Sequence, residues 1–206
     1  MLAGHPQLFV PPELYLLPFA TMRARQAAFP GGLASQREGL ERAWVGATGC
    51  TVEEARSWVR DLEDEDVPTI EVYRRLADAV PGRLLVDKTP MNNLRAPWLE
   101  GALAAVRELH VVHLVRHPAG MAESFAEARL GALWWPRLTG SDREPVPGAL
   151  SGENEASFGE LLWCAIEDVV DAVRLGVPTD RWTDIRFEDL VSDPSAQAQQ
   201  ACAALG

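Results

Sequence analysis

Two short runs each place a cation directly after an apolar, strand-like stretch. Asp87-Lys88-Thr89-Pro90 follows Arg83-Leu-Leu-Val86, and Arg116-His117-Pro118 follows Leu109-His-Val-Val-His-Leu-Val115. Ligands of an open parallel sheet bind beyond the carboxyl ends of its strands, so Lys88 and Arg116 are expected on one rim. Pro118 suits an early position of a helix running to about Leu130. That helix would turn its amide N–H groups and positive dipole end toward the same rim. Ser124, about two turns along it, adds a hydroxyl. Two cations, a helix N-terminus and a hydroxyl suit a phosphate or a sulfate. The competing reading pairs Lys88 and Arg116 with surface carboxylates.

The histidines offer less. His110 and His113 lie on one strand at a spacing that faces them to opposite sides, so they do not form one metal site. His117 reads as a packing or capping group and His5 as part of a Gly-His-Pro turn. No metal site is expected. Trp134 and Trp135, in a stretch broken by Gly and Pro, either line an apolar pocket or anchor a loop to the core. The acidic run Asp61-Leu-Glu-Asp-Glu-Asp66 reads as a solvated helix junction.

The elements that must position these residues alternate. Thr51 with Glu54 makes a capping box for a helix to Glu65, and Asp66–Ala79 carries apolar residues at helical spacing. Asn92 or Asn93 can cap a helix to about Leu109. A long amphipathic helix is expected over 154–175, a third strand over 181–187, and a last helix over 194–206. Strands alternating with helices predict an α/β fold, a three-layer parallel sheet flanked by helices. The 206 residues suit one domain, with 47% hydrophobic and 24% charged residues and a mean hydropathy of −0.08. No apolar run approaches the ~20 residues of a membrane helix. The formal net charge of −11 argues against nucleic acid and anionic membrane as partners. Three scattered cysteines imply neither a disulfide framework nor a zinc cluster, and a reducing cytoplasm is the expected compartment.

Leu114-Val-Arg116-His-Pro118 with Ser124-Phe125 resembles the sulfotransferase superfamily. So does Ile185-Arg-Phe-Glu188-Asp-Leu190-Val-Ser-Asp-Pro194, similar to a second fingerprint of the family, and so do Asp87-Lys88-Thr89-Pro90 and Leu2-Ala-Gly-His5-Pro6. The resemblance implies a P-loop NTPase-like sulfotransferase fold. It also implies that Arg116 and Ser124 grip the 3′-phosphate of the cosubstrate 3′-phosphoadenosine 5′-phosphosulfate (PAPS). Relatives begin with a strand and a phosphosulfate-binding loop and carry a Gly-rich basic segment near their end. Neither is recognised here, so the resemblance reads the chain as a domain truncated at both ends. Phe187 stands where some relatives carry Tyr.

The implied reaction moves SO₃ from a phosphate to an acceptor oxygen or nitrogen, and needs a base and cations. Glu13, held by Pro11-Pro12 at the mouth of a helix, lies where similar sulfotransferases carry a carboxylate base; the plainer reading is a first-turn acid beside a helix dipole. Lys88 would steady the leaving phosphosulfate. The run Pro11-Pro-Glu13-Leu-Tyr-Leu-Leu-Pro18-Phe19 resembles sulfotransferase domains of bacterial polyketide assembly lines. The implied acceptor is a small-molecule or carrier-bound hydroxyl, such as a β-hydroxyacyl chain on a carrier protein. Two alternatives stand: a non-catalytic sulfotransferase-like domain, and a P-loop small-molecule kinase, for which the chain has no Gly-Lys-Ser/Thr loop.

Overall fold

The apolar runs form short parallel strands, and capping residues and prolines set the helices around them. A computed structural model describes residues 2–128 and 153–205. The chain divides into two units, Met1–Asn92 with Pro97–Arg107, and Asn93–Ala96 with Glu108–Gly206.

In the first unit a 3₁₀ turn at Leu2–Gly4 leads into β1 (Leu8–Phe9). An irregular segment then reaches α1 (Met22–Ala28), a 3₁₀ stretch (Gly31–Arg37), α2 (Glu38–Thr48), α3 (Val52–Asp64) and α4 (Thr69–Asp78). β2 (Leu84–Leu85), a 3₁₀ turn (Pro90–Asn93) and α5 (Ala96–Ala105) follow. β1 and β2 are parallel, with Leu8 opposite Leu84 and Phe9 opposite Leu85. Their ladder includes Leu84 N–H to Gln7 O and Val86 N–H to Phe9 O, both 2.8 Å.

The expected capping box opens α3: Glu54 N–H donates to Thr51 Oγ1 (3.3 Å) and Thr51 N–H to Glu54 Oε2 (2.8 Å). The Thr51 N–H holds the Glu54 carboxyl below its ordinary value. α4 begins at Thr69, later than the expected Asp66. Pro68 disfavours helical geometry in the residue before it, and Asp66 is left-handed at φ 53. Asn92 and Asn93 cap no long helix either; they close a 3₁₀ turn, and α5 starts at Ala96.

Leu14, Leu16, Met22, Leu40, Leu62 and Leu76 lie at the centre of this unit's core. Against it pack Trp44 and Trp58, stacked at 3.9 Å between centroids. Two charged residues are buried there, Arg25 at 0% and Glu63 at 2% exposure. Glu63 accepts from Arg37 Nη2 (2.6 Å) and Gln26 Nε2 (2.8 Å). The acidic run is therefore not wholly solvated as expected, because α3 turns Leu62 and Glu63 inward.

The second unit holds β3 (Val111–Val115), α6 (Pro118–Ala128), α7 (Glu153–Arg174), a 3₁₀ turn (Thr179–Arg181), β4 (Trp182–Arg186), α8 (Phe187–Ser192) and α9 (Pro194–Leu205). β3 and β4 are parallel from Val111 opposite Trp182 to Val115 opposite Arg186. α6 and α7 pack closely at Gly159, where a Cβ would stand 2.8 Å from the Ala122 Cα. The Glu188-Asp-Leu190 run of the second fingerprint is helical. Parallel strands flanked by helices bear out the α/β expectation. Trp134, Trp135 and the loop expected to carry them lie outside the described residues.

Candidate functional site

Glu13 is not at the mouth of a helix, as its two prolines suggested. It lies in the irregular segment between β1 and α1. Here Pro11 and Pro12 cannot donate to any ladder, so the chain leaves β1 and crosses the front of α2. The carboxylate is met from two directions. Tyr15 Oη donates to Glu13 Oε2 at 2.7 Å, and Lys88 Nζ stands 3.8 Å from Oε1. The structure therefore does bring the two residues expected to be catalytic, Glu13 and Lys88, together. They line a cleft of about 320 Å³ whose other walls include Pro12, Tyr15, Ser35, Gln36 and Arg42.

Lys88 comes from the turn after β2, and that turn is tightly organised. Asp87 Oδ1 accepts from the Thr89 N–H (3.0 Å) and hydroxyl (2.6 Å), an Asx turn. Asp87 Oδ2 accepts from Asn92 Nδ2 (3.0 Å) and from the Tyr73 hydroxyl. Burial and then the neighbouring Asp87 charge push the Tyr73 phenol well above its ordinary value, so it remains a donor. Thr89 Oγ1 in turn accepts from the Leu14 N–H at 2.9 Å. Through Asp87 and Thr89 the Lys88 turn and the Glu13 segment form one hydrogen-bonded assembly. Sequence reasoning missed Tyr15, Tyr73 and Thr89. The Asp-x-Thr spacing is a legible Asx-turn signal; the Tyr73 contact comes from a distant helix and has none.

In the second unit, Arg116 directly follows β3, as expected. Its guanidinium lies 4.8 Å above the Phe187 ring centroid and over the first turn of α6, where a Cβ on Gly120 would come within 3.0 Å of Arg116 Nε. Phe187 thus gives the cation an aromatic face. Arg116 makes no ion pair among the described residues. Its carbonyl accepts from Trp163 Nε1 at 2.8 Å, which ties the strand end to α7. Ser124 is half-buried on α6.

The amides at the start of α6 are not all offered to a ligand, as the sequence reading expected. His117 N–H donates to Glu188 Oε1 at 2.9 Å, and Ala119 N–H to His117 Nδ1 at 3.2 Å. His117 is a capping residue, and the Glu188 carboxylate crosses from the end of β4 to the end of β3. The His117 N–H, foremost, holds the Glu188 carboxyl below its ordinary value. His113 lies between Asp184 Oδ1 (3.1 Å) and Glu167 Oε1 (3.4 Å). Its two ring nitrogens meet different carboxylates. Among the described residues no group of His, Cys, Asp and Glu could hold a metal ion. Among the same residues no helix is long and apolar enough to cross a membrane.

The model of the sulfotransferase family matches residues 1–206. The sulfotransferase domain from the curacin biosynthetic pathway is 30% identical, with a TM-score of 0.84 over 99% of this chain. The sulfotransferase domain from the Synechococcus PCC 7002 olefin synthase is also 30% identical, with a TM-score of 0.84 over 100% of it. This chain spans 66% of the length of each of those structures. No curated protein matches it. A match along the whole sequence, joined to a parallel α/β fold with Arg116 at a strand end, places the chain in one family: it belongs to the sulfotransferases.

Proposed function

We propose that the protein transfers a sulfuryl group from PAPS to a hydroxyl acceptor, with Glu13 as the general base. The single observation that carries this reading is the Glu13 carboxylate, held by a phenol on one oxygen and facing the Lys88 ammonium with the other, in an open cleft. A base needs hydrogen-bond reach of the proton it takes, and a cation beside it can balance charge developing on a leaving oxygen.

Arg116 and Ser124 are assigned to the donor's 3′-phosphate. In support, Arg116 is a cation without an ion pair among the described residues, supported on Phe187 at the end of a strand. PAPS supplies the SO₃ unit on a phosphate leaving group. Lys88 steadies that group, and Glu13 accepts the acceptor's proton. The acceptor we propose is a β-hydroxyacyl chain on a carrier protein. It is favoured by the two similar structures, one from a biosynthetic pathway and one from an olefin synthase.

Calorimetric titration with PAPS and its Arg116→Ala counterpart tests the donor assignment. Binding that falls at least tenfold in the variant supports it; undiminished affinity sinks it. Transfer of label from [³⁵S]PAPS to a β-hydroxyacyl carrier, lost in Glu13→Gln, tests the reaction.

A further inference from the structure

Tyr15 is an aromatic residue with a left-handed backbone, φ 51. Bulky side chains avoid that region, and such a conformation persists only where its surroundings over-determine it. Here they do. Thr89 Oγ1 accepts from both the Leu14 N–H (2.9 Å) and the Tyr15 N–H (3.3 Å). From the other side, Arg25 Nε donates to the carbonyls of Leu14 and Tyr15, both at 3.1 Å.

Arg25 is itself an unfavourable residue to place there. It is fully buried, and its Nη1 has no hydrogen-bond partner. Burial draws its pKa down to about 10, with the Glu63 charge opposing the fall, so the guanidinium is still charged near neutrality. A strained aromatic backbone and a buried cation thus converge on the dipeptide directly after Glu13.

The outcome of that arrangement is the direction of one phenol. The Tyr15 ring rests edge-on against Phe29, 5.4 Å between centroids, and its hydroxyl reaches back to Glu13 Oε2 at 2.7 Å. Oε1 stands 3.8 Å from Lys88 Nζ, beyond hydrogen-bond length, and Glu13 and Lys88 both line the cleft.

We infer that Tyr15 is the positioning residue of the Glu13 base, its phenol holding Oε2 so that Oε1 receives the acceptor's proton. The inference rests on the proposed function. In the step it serves, the acceptor oxygen forms a bond to sulfur as its proton passes to Oε1. The bond from sulfur to the bridging oxygen breaks, and its electron pair stays on the phosphate. Lys88 is then needed at the bridging oxygen, which leaves Tyr15 as the hydrogen-bonding group that keeps the carboxylate in place.

The test is Tyr15→Phe, which removes one oxygen and leaves ring and backbone alone. A hydrogen bond to a charged group is worth enough that kcat should fall about tenfold. KM for the acceptor, PAPS affinity by calorimetry and the melting temperature should stay near their original values. NMR of ¹³C-labelled glutamate gives a second readout without turnover: the Glu13 side chain holds one rotamer in the unaltered protein and several in Tyr15→Phe. Full kcat in the variant, an unchanged rotamer, or a kcat loss matched by a several-degree fall in melting temperature each overturn the inference. Glu13→Gln with full activity overturns the base itself. If the unaltered protein transfers no sulfuryl group, the proposed function fails, and the rotamer measurement decides the Tyr15 hold by itself.

Discussion

The backbone carbonyl of Glu13 occupies the space a side chain on Gly39 would need: a Cβ there would stand 1.9 Å from the oxygen and 3.0 Å from the carbon. α2 can approach the segment carrying the proposed base only because position 39 is glycine. Gly39→Ala would ordinarily favour a helix by up to ~1 kcal/mol. Here the clash lies against backbone, and overpacking of this kind costs roughly 1–3 kcal/mol. We expect net destabilisation in urea and a parallel loss of transfer activity, since Glu13 must move. A variant as stable and active as the original would refute the contact.

Glu63 is the buried acceptor for Arg37 and Gln26. Truncating one partner of a buried pair is far worse than exchanging both. Arg37 keeps 27% exposure and can recover some hydration, so Glu63→Ala should lose about 3 kcal/mol, the low end of such losses. The denaturant midpoint should drop with little change in its slope. A loss under 1 kcal/mol would show that water replaces the carboxylate readily.

Tyr73 carries an alkaline signature. Its phenol is raised above the ordinary value of 10.0 by burial and by Asp87, so the folded state holds that proton more tightly than the unfolded state. Its contribution is complete below pH 10 and falls as pH rises from there toward the folded value. Unfolding measured from pH 8 to 11.5 should show stability declining above pH 10. Tyr73→Phe should flatten that decline, and an unaltered slope in the variant would contradict the assignment.

Glu188 works in the opposite direction. The His117 N–H holds its carboxyl below the ordinary 4.5, so its contribution is present above that pH and is lost as pH falls through the folded value. Glu188→Gln should reduce the acid slope of stability below pH 4.5 without abolishing it. Asp184 also lies low: burial opposes its charge, but hydrogen bonds from Trp182 and His113 and the Arg174 charge prevail. An acid profile identical in variant and original would remove Glu188 from this role.

Much of the framework was legible from local signals. The capping box at Thr51 and Glu54, the apolar run ending at Val115 and the Pro118 helix start each depend on neighbours in sequence, and each formed. Boundaries slipped where proline geometry intervened, as at Pro68. The roles of Glu13 and Lys88 came from resemblance, and the structure supplied their proximity. Tyr15 went unnoticed because a positive φ at an aromatic residue has no signature in the residue itself. It is imposed by Arg25 and Thr89, which lie 10 and 74 residues away in the chain.

Residue type and spacing alone determined which cations follow strands, where helices begin, and which family the motifs match, because strand ends, caps and prolines act over a few residues. Tertiary structure decided which groups meet. It set Lys88 against Glu13, gave Arg116 the face of Phe187, and took the His117 amide for Glu188. It also buried Arg25 beneath the turn that aims Tyr15. These contacts join groups far apart along the chain, and only the burial of a shared core holds such groups at hydrogen-bonding distance.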